Sequence, residues 1–168
     1  MAETSFNIKE PGLNVLPPGV ERYVVNGGGI TGVQIFPDDE IQVINNEGNQ
    51  ICEISVFNKD GKSDNGILNL KDNKDSSELK KILLSKDENS KIAAFQLKKR
   101  GLEFTKVKSS IVFDKNTNWG EKVKLKSKDK CYCIFAAPGS EMLVSEQNPP
   151  TDLTIFVKRA KITKDKEH

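Results

Sequence analysis

Glu40-Ile41-Gln42-Val43-Ile44-Asn45 and Gln50-Ile51-Cys52-Glu53-Ile54-Ser55-Val56-Phe57 are two alternating runs joined by Asn46-Glu47-Gly48-Asn49. In the first, Ile41 and Val43 face one way and Glu40 and Gln42 the other. In the second, Cys52, Ile54 and Val56 share a face, with Ile51, Glu53, Ser55 and Phe57 opposite them. Successive side chains of an extended chain point to opposite sides, so a period of two marks a strand with one face in a core. The connection Asn45–Asn49 has the composition of a tight turn and tolerates positive φ.

Comparable extended runs occur on both sides. Glu21–Asn26 and Gly29–Phe36 precede the pair, and Pro37-Asp38-Asp39 turns the chain into Glu40. The three glycines 27–29 make a hairpin between the first two runs plausible. Lys106–Phe113, Lys122–Leu125, Lys130–Ala137 and Asp152–Ala160 follow, and Lys122, Lys124 and Lys126 alternate with Val123 and Leu125 as a half-buried strand with a charged outer face. Between the blocks, Asn58–Asp75 reads as a long surface excursion. Ser76-Ser77-Glu78 opens a short helix with Leu79, Ile82 and Leu83 at helical spacing. Asn89 or Ser90 caps a second helix, on which Ile92 and Phe95 share a face and Gly101 supplies the stop.

This order lacks strand–helix–strand alternation, which argues against a doubly wound sheet. The expected fold is mainly β: a closed or partly open β-barrel, or a two-sheet sandwich, of roughly eight strands with a small helical insert at about 76–101. Residues 1–19 form an extended lead-in interrupted by Pro11, Pro17 and Pro18. Residues 20–160 form one domain, and 161–168 a basic tail or linker. There is no internal repeat.

With 168 residues, 36% hydrophobic and 30% charged, the chain suits a modest core under a wet surface. The longest apolar runs, such as Cys131–Pro138, fall far short of the roughly 20 residues that span a bilayer. Met1–Glu10 has no apolar signal region, so a cytoplasmic address is expected and a membrane is not. A net charge of +2 predicts no polyanionic partner. The lysine clusters are interspersed with Asp and Glu, and Tyr23, Tyr132 and Trp119 are too scattered for a base-stacking platform, so no nucleic acid is expected. Three cysteines, Cys52, Cys131 and Cys133, read as reduced buried thiols, with alternate residues on a strand about 7 Å apart.

The only histidine is His168, the last residue. Ser-His-Asp and Cys-His mechanisms, histidine metal triads and a buried imidazole base are thereby removed. No C-x-x-C pair is present, so no metal site is expected. Gly27-Gly28-Gly29 lacks the spacing and the following helix of a phosphate loop. Carboxylate pairs such as Asp38-Asp39 read as turn and solubility residues. No catalytic residue is assigned, and no cofactor is expected in this chain.

Asp39 through Gln50, followed by Ile51-Cys52-Glu53 and Phe57-Asn58, resembles the "GDxIxVxDxEGNQxxDxxxFN" pattern of the urea-carboxylase-associated family, an uncharacterised bacterial domain family. Asn148-Pro149-Pro150-Thr151-Asp152-Leu153-Thr154-Ile155 is similar to that family's closing "NPTPLxV". The resemblance covers Arg22–Asn58 and Lys122–Val157. It implies kinship with domains attached to aminomethyltransferase proteins similar to the glycine-cleavage T-protein. Glu53 takes the place of the family's aspartate. The family's His- and Cys-bearing central segment, thought to supply metal ligands, corresponds to Asn65–Arg100, which holds neither residue, and Ala137 stands where its late cysteine falls.

Residues and resemblance together lead to a non-catalytic β-barrel domain of an aminomethyltransferase-like protein of one-carbon or amine metabolism. A C-terminal catalytic domain would follow, and folate would bind there. The alternative is a stand-alone small-molecule binding module, with Asn49, Gln50, Glu53 and Asn58 converging beside Phe57. A third reading is an enzyme working with carboxylates alone, Glu53 being the base.

Overall fold

A computed structural model describes residues 16–71, 88–102, 108–113, 117–138 and 151–160. The strands are β1 (Val20–Val25), β2 (Ile30–Ile35), β3 (Glu40–Asn45), β4 (Cys52–Phe57), β5 (Ser110–Phe113), β6 (Glu121–Lys126), β7 (Cys131–Ala136) and β8 (Leu153–Lys158). Among the described residues a helix, α1 (Glu88–Lys99), and a 3₁₀ turn (Asn65–Leu68) interrupt them. The mainly β reading holds, and each of the eight runs overlaps one strand.

The strands form two four-stranded antiparallel sheets, ordered β1-β8-β3-β6 and β2-β7-β4-β5. The pairs β1·β8, β2·β7, β3·β6 and β4·β5 are those of one long hairpin rolled upon itself, and β3·β8 and β4·β7 complete the sheets. That is the jelly-roll arrangement of a two-sheet sandwich. Among the described residues the two sheets do not join into one closed barrel.

The hairpin expected across the three glycines does not form. β1 and β2 belong to different sheets, and the turn between them passes from one sheet to the other. There Gly29 N–H donates to the Asn26 carbonyl, while Gly28 N–H and Ala137 N–H tie the turn to β7. The alternation of each run fixes which side chains are buried, and says nothing about which strand lies beside it.

The core lies between the sheets. Val25, Ile41, Val43, Leu153, Ile155 and Val157 come from the first; Val33, Ile35, Ile54, Val56, Phe113, Phe135 and the three cysteines come from the second. Val123 and Leu125 pack against this core while Lys122 and Lys124 face outward, as the alternation predicted. The outer face of the second sheet is covered by α1, whose Ala94 and Leu97 meet Phe57, Ile134 and Ala136. Ile92 and Phe95, which share a face, are exposed. Two apolar stripes compete on this helix, and the sheet takes the one carrying Ala94, which permits close approach. Gly101 ends the helix at φ +78, with Leu102 N–H returning to the Leu97 carbonyl.

The excursion after β4 is not wholly a surface feature. Its 3₁₀ turn buries Ile67 and Leu68 in the core, and Asn65 fixes it, accepting from Val56 N–H and donating to the Lys108 carbonyl. The helix expected after Ser76, the lead-in before Leu16, and the tail 161–168 with His168 lie outside the described residues.

Candidate functional site

The four polar residues singled out in the sequence flank or lie within β4, and the structure separates them. Gln50 and Asn58 stand at opposite ends of that strand, eight residues apart, about 26 Å for extended chain. Each has a local task. Asn49 takes a left-handed conformation (φ +58) and its N–H donates to the Thr117 carbonyl. Gln50 is buried; its amide donates to the carbonyls of Ile51 and Pro138 and accepts from Thr151 N–H. Asn58 Oδ1 accepts from the backbone of Asp60 and Lys62, closing the turn after β4. Glu53 is 3% exposed, on the face of β4 that also carries Phe57, away from the inter-sheet core.

The signature segment is therefore built into the fold at one end of the sandwich. Asn45 donates to the Gln50 carbonyl and accepts from Gly48 N–H, and its own carbonyl receives Gly120 N–H. These bonds join the 45–50 turn to the loops at 117–120, 138 and 151, satisfying backbone groups that a sandwich end leaves without ladder partners.

The cysteines are free and buried. Sγ of Cys131 and Cys133 lean together to 3.7 Å, closer than the strand repeat suggested, and Ser127 Oγ lies 3.6 Å from Cys131. Burial pushes the Cys52 and Cys133 thiols well above their ordinary value. The contact with Cys133 draws Cys131 down. Desolvated, protonated thiols are poor nucleophiles and poor metal ligands. Among the described residues no three His, Cys, Asp or Glu side chains are grouped to hold a metal ion.

Concave features also occur among the described residues. A groove of about 670 Å³ lies against the first sheet, with Phe156, Val20 and Pro17 among its apolar lining and Lys124, Lys126 and Lys158 among its charged residues. A smaller pocket of about 150 Å³ lies at the Asn58 end of β4, among Gln34, Asn58, Lys59, Arg100, Lys130 and Tyr132. Sequence reasoning reached Asn58 but not the cations around it, because Lys59, Arg100 and Lys130 come from three separate segments.

Fold and site together define an eight-stranded jelly-roll domain whose signature residues serve its loops. No family model matches the sequence. Over 153 residues, 91% of the chain, it is 32% identical to the trimethylamine-oxide aldolase of Ruegeria pomeroyi, and it spans 19% of that protein's length.

Proposed function

We propose that this chain is a non-catalytic jelly-roll domain of an aminomethyltransferase-like protein of one-carbon or amine metabolism, related to the urea-carboxylase-associated domains. The observation that carries this reading is the 32% identity, across 91% of the chain, to a segment that makes up 19% of a trimethylamine-oxide aldolase. A relative so much longer suits a domain working beside others. An aldolase named for a methylated amine oxide suits the amine chemistry that the resemblance implies. The thiols are buried and the Gln50 amide is occupied by backbone groups, which supports placing the chemistry, and any folate, in an attached domain. The assembly would work in the cytoplasm.

The test has two parts. The transcript beyond His168 is expected to encode an aminomethyltransferase-like segment. Trimethylamine oxide mixed with the 168-residue chain is expected to keep its methyl NMR signal undiminished. A stop codon directly after His168, or consumption of the oxide by this chain alone, would overturn the proposal.

A second reading, a stand-alone small-molecule binding module, is favoured by one observation: Asn58 lines a pocket with three cationic side chains.

A further inference from the structure

We propose that the pocket at the Asn58 end of β4 is a binding site for a phosphate group. Lys59, Arg100 and Lys130 line it, and among the described residues no Asp or Glu side chain does. The chain has nearly as many acidic residues as basic ones, 24 against 26, so three cations gathered without a carboxylate is a marked local imbalance. Among the described residues none of the three makes an ion pair with a carboxylate, and the ion pairs there belong to Arg159. Like charges brought together repel, and an anion between them reverses the sign of that interaction.

The donors are positioned. The Tyr132 ring lies over Gly32, where an added Cβ would overlap the hydroxyl and ring atoms, so only glycine lets the ring lie flat on the sheet. Arg100 is held over this ring, with Cζ 4.4 Å from its centroid. Burial raises the Tyr132 phenol above its ordinary value, so its hydroxyl keeps its proton and can donate. Asn58 Oδ1 is taken by two backbone N–H groups, which leaves the amide NH₂ as its available end. Gln34 Nε2 is likewise spent on the Cys131 carbonyl.

Size sets the class. About 150 Å³ is well below the roughly 300 Å³ at which sites for whole drug-sized molecules begin, and it suits a single oxyanion group. A planar guanidinium beside two ammonium groups favours a phosphate, with several oxygens to share, over a carboxylate. The group could be free phosphate or the end of a phosphorylated small molecule. This inference does not depend on the amine-metabolism reading.

The test is calorimetric titration of the 168-residue chain with inorganic phosphate, sodium chloride holding ionic strength constant. Saturable binding is expected, weakened about tenfold by Arg100→Gln, the loss of roughly one charge-assisted hydrogen bond. Lys124→Gln removes the same charge on the outer face of the first sheet and is expected to change nothing. Should Arg100→Gln fail to fold, Lys59→Gln on the exposed turn gives the same reading. Tighter binding of glycerol 3-phosphate would identify a phosphorylated molecule, and equal or weaker binding the free ion. Absence of saturation, equal binding by acetate, or equal weakening by Lys124→Gln would overturn the proposal.

Discussion

Arg159 Nη1 donates to Asp39 Oδ2 at 2.7 Å, linking residues 120 positions apart just after β8 and just before β3. Asp39 is 1% exposed and also accepts from the backbone of Phe36 and Ala160. The same guanidinium makes two bonds to the Glu21 carboxylate and one to the Gln34 carbonyl, so it ties β1, β2 and the β2–β3 turn to the end of β8. Burial alone would lower the arginine's pKa, but the carboxylates of Glu21 and Asp39 outweigh it and raise it. In a protein where β8 leads to further chain, this cluster would fix the direction of exit.

Arg159→Ala is expected to destabilise the domain by about 3 kcal/mol, because it leaves the Asp39 carboxylate buried without its counter-ion. Arg159→Lys should cost less, about 1–2 kcal/mol, since an ammonium keeps the charge but loses the fork that spans Glu21 and Asp39. Urea unfolding of the three proteins checks the order. Equal stability of the wild type and Arg159→Ala would show that the cluster is solvated in solution.

Gly48 sits at φ +80 in the signature turn, and a Cβ there would lie within 2.8 Å of backbone atoms of Thr117, Asn118 and Trp119. Both strain and overlap therefore act against any side chain, and backbone neighbours cannot swing aside as a flexible side chain could. Gly48→Ala is expected to cost about 2–3 kcal/mol. Gly101, at nearly the same φ but with open space around it, should cost only about 1 kcal/mol when changed to Ala. Thermal melting of the two variants separates crowding from dihedral strain. Equal losses would mean that the 117–119 loop yields.

The faces of the strands were legible in the sequence because alternation is local. Cys52, Ile54 and Val56 fall on the core side of β4 as their spacing required. Pairing was not legible: nothing in Glu21–Asn26 states that its neighbour is β8, 128 residues or more along the chain, instead of β2. The polar signature misled for a related reason. Asn and Gln look alike whether they await a ligand or hold a loop, and only the distant carbonyl of Pro138 and N–H of Thr151 show that Gln50 does the latter. Asp39 is a turn residue, as its neighbours Pro37 and Asp38 indicate, but its burial depends on Arg159 at the far end of the domain. The phosphate pocket was hidden in the same way, since Lys59, Arg100 and Lys130 become neighbours only when α1 packs on the second sheet.

The buried thiols give the domain a defined response to alkali. Burial, with a smaller contribution from Glu53, holds Cys52 far above its ordinary value of 9.0 in the folded state, while in the unfolded chain it titrates near that value. A group whose folded pKa is raised contributes stability that is complete below the unfolded value and is lost as pH climbs beyond it, because the unfolded chain then releases a proton that the folded one retains. Cys133 acts in the same direction, whereas Cys131, lowered chiefly by its contact with Cys133, acts in the opposite one. Cys52→Ala removes one of these responses. Deleting the sulfur should cost about 1 kcal/mol at pH 7 through the small void it leaves. That deficit should then shrink by about 1.4 kcal/mol for each pH unit above 9, as only the wild type loses its thiol contribution. Urea unfolding of both proteins at intervals from pH 7 to pH 10.5 measures the difference directly, with tyrosine and lysine titration common to the two. A gap that stays constant across this range would mean that Cys52 ionises as readily in the folded chain as in the unfolded one, and that water reaches the inner face of β4.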